Sequence, residues 1–154
     1  MNHTFITPTQ RLISWRNFRK SVFELSEYDQ LSSVAKYWAD VPLVMFSINW
    51  DRPNEWPSPW ELIHEGNFDN TAIVYLMEQT LLLLGWGRNR LELKFINDKK
   101  NNDQFMILII DNKYVLNYSI NKVIELQKIK NNFLSLINFK FINNMYMEIN
   151  NDNQ

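Results

Sequence analysis

The 154-residue chain contains no cysteine, three glycines and two histidines. Each shortage removes a class of function. Without cysteine there is no disulfide, no thiolate nucleophile, no cysteine-ligated zinc and no iron–sulfur cluster. Three glycines in total cannot build a phosphate-cradling loop or a dinucleotide fingerprint. His3 and His64 do not form an H-E-x-x-H pair, so no metal and no cofactor is expected. Sixteen basic and seventeen acidic side chains nearly cancel, which leaves no overall field to draw the chain to nucleic acid or to an anionic membrane. No apolar run approaches the roughly 18 to 20 residues of a membrane helix. The opening MNHTFITPTQ lacks the basic-then-apolar layout of a signal peptide. A cytoplasmic location is therefore expected.

What is present is apolar and aromatic. Hydrophobic residues make up 45% of the chain, enough for a globular core in one domain spanning 1–154, with frayed ends at 1–6 and 150–154. Thr7 and Pro8 suit the N-cap and first position of a helix, and Leu12, Trp15, Phe18, Val22 and Leu25 continue it as one apolar stripe. Ser26 with Asp29 opens a second helix, which Pro42 stops. LVMFSI (43–48) is a short apolar run that reads as buried, either extended or helical. After a loop rich in tryptophan and proline, Ser58, Pro59 and Glu61 have the spacing of a capping box for a short helix ending at Gly66. Asp69 caps the next helix, which is apolar almost all round, runs to about Leu84 and stops at Gly85. Such a helix belongs at the centre of a core. Thereafter strand patterns dominate: LELKFI (91–96), QFMILII (104–110), a DNK turn, YVLNYSI (114–120), and NFKFINNMYMEI (138–149) as one or two strands. Helices first and antiparallel strands second predict an α+β fold, with the central helix packed on the sheet.

The stretch WPSPWELIHEGNFDNTAIVYLMEQTLLLLGW (56–86) resembles the frame around the nucleophile of the transglutaminase-like, papain-related cysteine peptidases. That family has W-x-T-P-E-E-F-L running into G-G-G-D-C-E-D and a helix ending in L-G. Trp56, Ser58, Pro59, Glu61, Leu62, Gly66, Asp69, Leu81, Leu84 and Gly85 fall on like residues. The resemblance places the family's cysteine on Asn70. Its histidine, opening a strand as in H-M-V-L, falls on Gln104, and its aspartate, as in I-L-D-N, on Asn117. The region covered is roughly 56–124. Stretches like W-P-T-P-W-E-L-I also resemble uncharacterised proteins of tailed phages, which would place the chain in the host cytoplasm.

The chemistry of that family is specific. A helix N-terminus favours a thiolate, a strand imidazole takes its proton, and a carboxylate orients the imidazole. Asn70, Gln104 and Asn117 supply none of these groups. An amide is neither a nucleophile nor a general base at neutral pH, though it can hydrogen-bond. The resemblance therefore implies a degenerate site and a pseudoenzyme that binds a protein partner. A second reading is a hydrolase or transferase built on His64, Asp69 and Thr71. A third is a small virion or interaction protein unrelated to cysteine peptidases. Trp50, Trp56 and Trp60, with their interleaved prolines, are a candidate stacking platform, against the plainer reading of a rigid loop. In the mildly basic run RLISWRNFRK (11–20), Arg16, Arg19 and Lys20 read as a solvated helix face more than as a nucleic-acid contact. The sequence leaves the oligomeric state open.

Overall fold

The computed structural model describes residues 7–149. The ends expected to fray, 1–6 and 150–154, lie outside the described residues. Helices α1 (Pro8–Val22), α2 (Glu27–Ala39), α3 (Pro59–Glu65) and α4 (Asn70–Leu83) come first. The strands follow: β1 (Leu91–Asp98), β2 (Asp103–Ile110), β3 (Tyr114–Leu116), β4 (Val123–Glu125), β5 (Phe133–Ile142) and β6 (Met145–Ile149), with the short helix α5 (Leu126–Ile129) after β4. They form one antiparallel sheet in the order β4-β3-β2-β1-β5-β6. The fold is α+β, with the N-terminal helices on the sheet of the C-terminal half.

The helix starts follow from local chemistry. Thr7 caps α1 and forms a reciprocal box with Gln10, while Pro8 occupies the first turn. Ser26 and Ser58 accept from the backbone of Asp29 and Glu61, three residues on. Asp69 accepts from Ala72 at the start of α4. Gly66 ends α3 at φ +77° and Gly85 follows α4 at φ +101°, a conformation glycine adopts without steric cost. Arg11 of α1 closes the C-terminus of α3, donating to the carbonyls of Ile63 and His64 at 2.8 and 2.6 Å.

Helix α4 is central. Ala72, Val74, Leu76 and Leu81 are fully enclosed between the sheet and helices α2 and α3. The sheet alternates with period two. Leu93, Phe95, Met106, Leu108 and Leu116 join the helical core, while Ile96, Ile107, Ile109 and Val115 face away and are covered by Ile129 and Phe133.

Several elements depart from the sequence pattern. The run 43–48 is not a buried element. Leu43, Met45 and Phe46 are 59%, 103% and 65% exposed. Its ends are fastened through the backbone: Val44 N–H donates to the carbonyl of Phe68, and Ser47 and Ile48 N–H donate to Asp69 Oδ2. With the main chain held at both ends, the side chains between project outward. The return strand predicted over 114–120 stops at Leu116, because Asn117 turns to φ +72°. β4 and α5 were not predicted, being too short for a period to register. NFKFINNMYMEI does form two strands, and the first starts five residues earlier, at Phe133. Asn143 and Asn144 join them at φ +54° and +63°, the signature of a type I′ hairpin turn.

Candidate active-site cleft

A cleft of about 230 Å³ opens at the N-terminus of α4. One wall comes from α2 and the chain after it (Trp38, Val41, Leu43), another from α4 (Asn70, Ile73, Met77), and the third from Phe105 and residues 117–121. Among the described residues, no charged side chain lines it.

Asn70 is the first residue of α4, where unpaired N–H groups gather. Its Oδ1 accepts from the N–H of Met106 at 3.1 Å, and Asn117 Nδ2 donates to the C=O of the same residue at 2.9 Å. The two amides therefore take both backbone groups of Met106 along one edge of β2 and tie helix to sheet. Their outer ends, Asn70 Nδ2 and Asn117 Oδ1, make no hydrogen bond within the protein among the described residues. Gln104 is not part of this arrangement. It is exposed near the start of β2, does not line the cleft and makes no hydrogen bond to either asparagine. Its neighbour Phe105 borders the cleft, but its ring packs on the far face of the sheet, against the cluster of Ile96 and Ile107 and 6.2 Å from Tyr118.

The elements of this cleft have the order and placement of a known fold. Solved structures of Legionella pneumophila LapG superpose on the chain. The calcium-bound form gives a TM-score of 0.70 at 18% identity, over 85% of this chain and 75% of that one. The EGTA-treated form gives 0.71 at 18% identity, over 86% and 74%, and a further LapG structure gives 0.71 at 18%, over 86% and 76%. The fold is LapG-like. It is the transglutaminase-like, papain-related architecture that the 56–86 stretch resembles, carried by a chain without cysteine. No protein-family profile matches the chain, and no curated protein does. One of the LapG structures holds calcium. Among the described residues of this LapG-like chain, no group of three or more His, Asp or Glu side chains could hold a metal ion.

The other candidates stand apart on this LapG-like frame. Asp69 is 7% exposed, and its carboxylate is taken up by three backbone N–H groups, those of Ala72, Ser47 and Ile48, at 2.7 to 3.1 Å. It pins the 43–48 loop to α4 and does not orient an imidazole. His64 is exposed on α3, Thr71 is buried on α4, and no hydrogen bond joins His64, Asp69 and Thr71. The three indoles go to separate partners. Trp50 stacks on Phe95 at 3.9 Å, Trp60 meets Trp15 edge-on at 5.8 Å, and Trp56 packs between Tyr75 and Tyr146 while its Nε1 donates to the carbonyl of Asn49.

One buried polar cluster escaped the sequence reading. Glu78, midway along the apolar α4, is 4% exposed and accepts a short hydrogen bond from Tyr146 Oη of β6. Burial pushes its carboxyl up to about 7. Tyr75, one turn earlier, is pushed to about 12 by burial and by Glu78. A lone acid in an otherwise apolar helix was the visible signal.

Proposed function

We propose that this chain is a non-enzymatic protein of the LapG-like fold, which binds an uncharged, apolar segment of a partner protein across the cleft. The observation that carries the reading is Asn70, an amide at the helix N-terminus where the family resemblance places its nucleophile. Its oxygen is already committed to the Met106 N–H. Two further features support binding. Asn70 Nδ2 and Asn117 Oδ1 offer one donor and one acceptor, the complement of a peptide group. Around them, the cleft-lining Leu43 and Ile120 are 59% and 77% exposed, an apolar rim around an uncharged hollow. The cytoplasm, the host's if the chain is phage-encoded, is proposed as the place of action.

The test is a displayed library of linear peptides selected on the wild-type protein. Enriched peptides should be apolar and uncharged. Ile120→Glu should weaken their binding roughly tenfold or more, the effect of about 1.4 kcal/mol, whereas Gln104→Glu, away from the cleft, should leave it unchanged. No enrichment, or binding indifferent to Ile120→Glu, overturns the proposal.

A further inference from the structure

The Glu78 cluster lies outside the cleft and joins three parts of the chain. Tyr146 is 8% exposed and belongs to β6, an edge strand. Its side chain reaches Glu78 of α4. Its backbone N–H and C=O are both held by the Asn54 amide, at 2.7 and 2.9 Å, so Asn54 takes the outward groups an adjacent strand would otherwise pair. Asn54 lies in a 3-10 turn, Pro53–Glu55. Trp56, next after that turn, covers Tyr146 and Tyr75, and Tyr75 Oη donates to the carbonyl of Pro57. The edge strand and the 53–57 loop are therefore fastened to α4 around one enclosed carboxyl.

The groups facing that carboxyl decide its charge. From α4 come Tyr75 and Gln79, the latter donating to Glu78 Oε1 at 3.3 Å. From β6 comes Tyr146, and from the turn before β1 comes Arg88, whose guanidinium sits over the Phe141 ring at 3.7 Å. Glu61 of α3 acts on Tyr75 from further away. No ion pair reaches Glu78 among the described residues, so burial outweighs the hydrogen bonds that favour ionisation.

We propose that the enclosed Glu78 carboxyl works as a proton-operated latch: protonated, it leaves β6 and the 53–57 loop closed over it, and ionised, its need for water loosens them against the pull of the Tyr146 hydrogen bond. The direction follows from linkage. The carboxyl titrates near 4.5 in the unfolded chain and near 7 when folded. The folded protein thus binds the extra proton between those values. The contribution is complete below about pH 4.5, is lost as pH rises through 7, and is constant above.

Hydrogen exchange, corrected for intrinsic rates, tests this on the wild type and on Glu78→Gln, an uncharged mimic of the protonated form. From pH 5.5 to 8, protection of 53–57 and 145–149 should fall roughly thirty-fold in the wild type relative to the variant. Core amides of β1 and β2 should change less. Parallel behaviour of the two proteins, or an equal change throughout the sheet, overturns the latch. A measurement on the wild type alone guards against a variant that does not fold. Infrared absorption of a protonated carboxyl should persist at pH 6 and disappear with a midpoint near 7, and a midpoint near 4.5 overturns the proposal. Tyr146→Phe removes a bond that favours the ionised form and should raise that midpoint; an unchanged or lower one also overturns it.

Discussion

At the scale of single residues, Asn70 opens α4 at the position where the resemblance places a nucleophile. Asn70 has the right backbone setting for a low-pKa thiol and the wrong side chain. Asn70→Cys should therefore yield a thiol titrating below the free value of about 8.5, because the helix end favours the thiolate. Iodoacetamide labelling across pH 5 to 9 measures it, and a midpoint at or above 8.5 contradicts the geometry. Adding Gln104→His should leave that midpoint unchanged, since residue 104 lies outside the cleft lining. Asn117→Asp is a poorer restoration than the family pattern suggests, because it removes the donor to the Met106 carbonyl. Asparagine has a second use here. Every described non-glycine residue with positive φ is Asn or Asp: 102, 111, 112, 117, 121, 143 and 144. With three glycines in the chain, these short polar side chains take the left-handed turn positions.

Among elements, α4 and the 43–48 loop stand and fall through different interactions. Leu81 is fully enclosed, so Leu81→Ala should cost roughly 2 to 5 kcal/mol in urea unfolding. A loss below about 1 kcal/mol would mean the helix is peripheral. Asp69→Ala removes the helix cap and strands two further N–H groups, which together should cost roughly 2 to 4 kcal/mol. It should also speed hydrogen exchange over 44–48 far more than Leu81→Ala does. Equal effects of the two variants on that loop would show that Asp69 does not hold it. The caps and the breadth of α4's apolar surface were legible because they are local, set within one or two turns. The fate of LVMFSI was not, since its anchors, Phe68 and Asp69, are more than twenty residues away and act through the backbone.

For the whole molecule, the reading of a lost active site makes a direct demand. Peptide amide, ester and amine-acceptor substrates should show no turnover above background, because among the described residues no thiol, imidazole or carboxylate lines the cleft to attack or to activate the Ser119 hydroxyl there. Turnover that disappears on mutating His64 or Thr71 would reverse this and restore the second site as catalytic. The sequence alone determined the α+β order, the helix boundaries marked by Thr7, Ser26, Ser58, Asp69 and the glycines, and the exclusion of thiol chemistry. These depend on residue type and short-range spacing. Tertiary structure alone decided that Asn70 and Asn117 meet on Met106, that Gln104 stays outside the cleft lining, and that Glu78 is sealed against Tyr146. Those outcomes depend on strand register and on contacts between residues 11 to 68 positions apart. A one-residue step there exchanges the faces of a strand, and no local pattern records it.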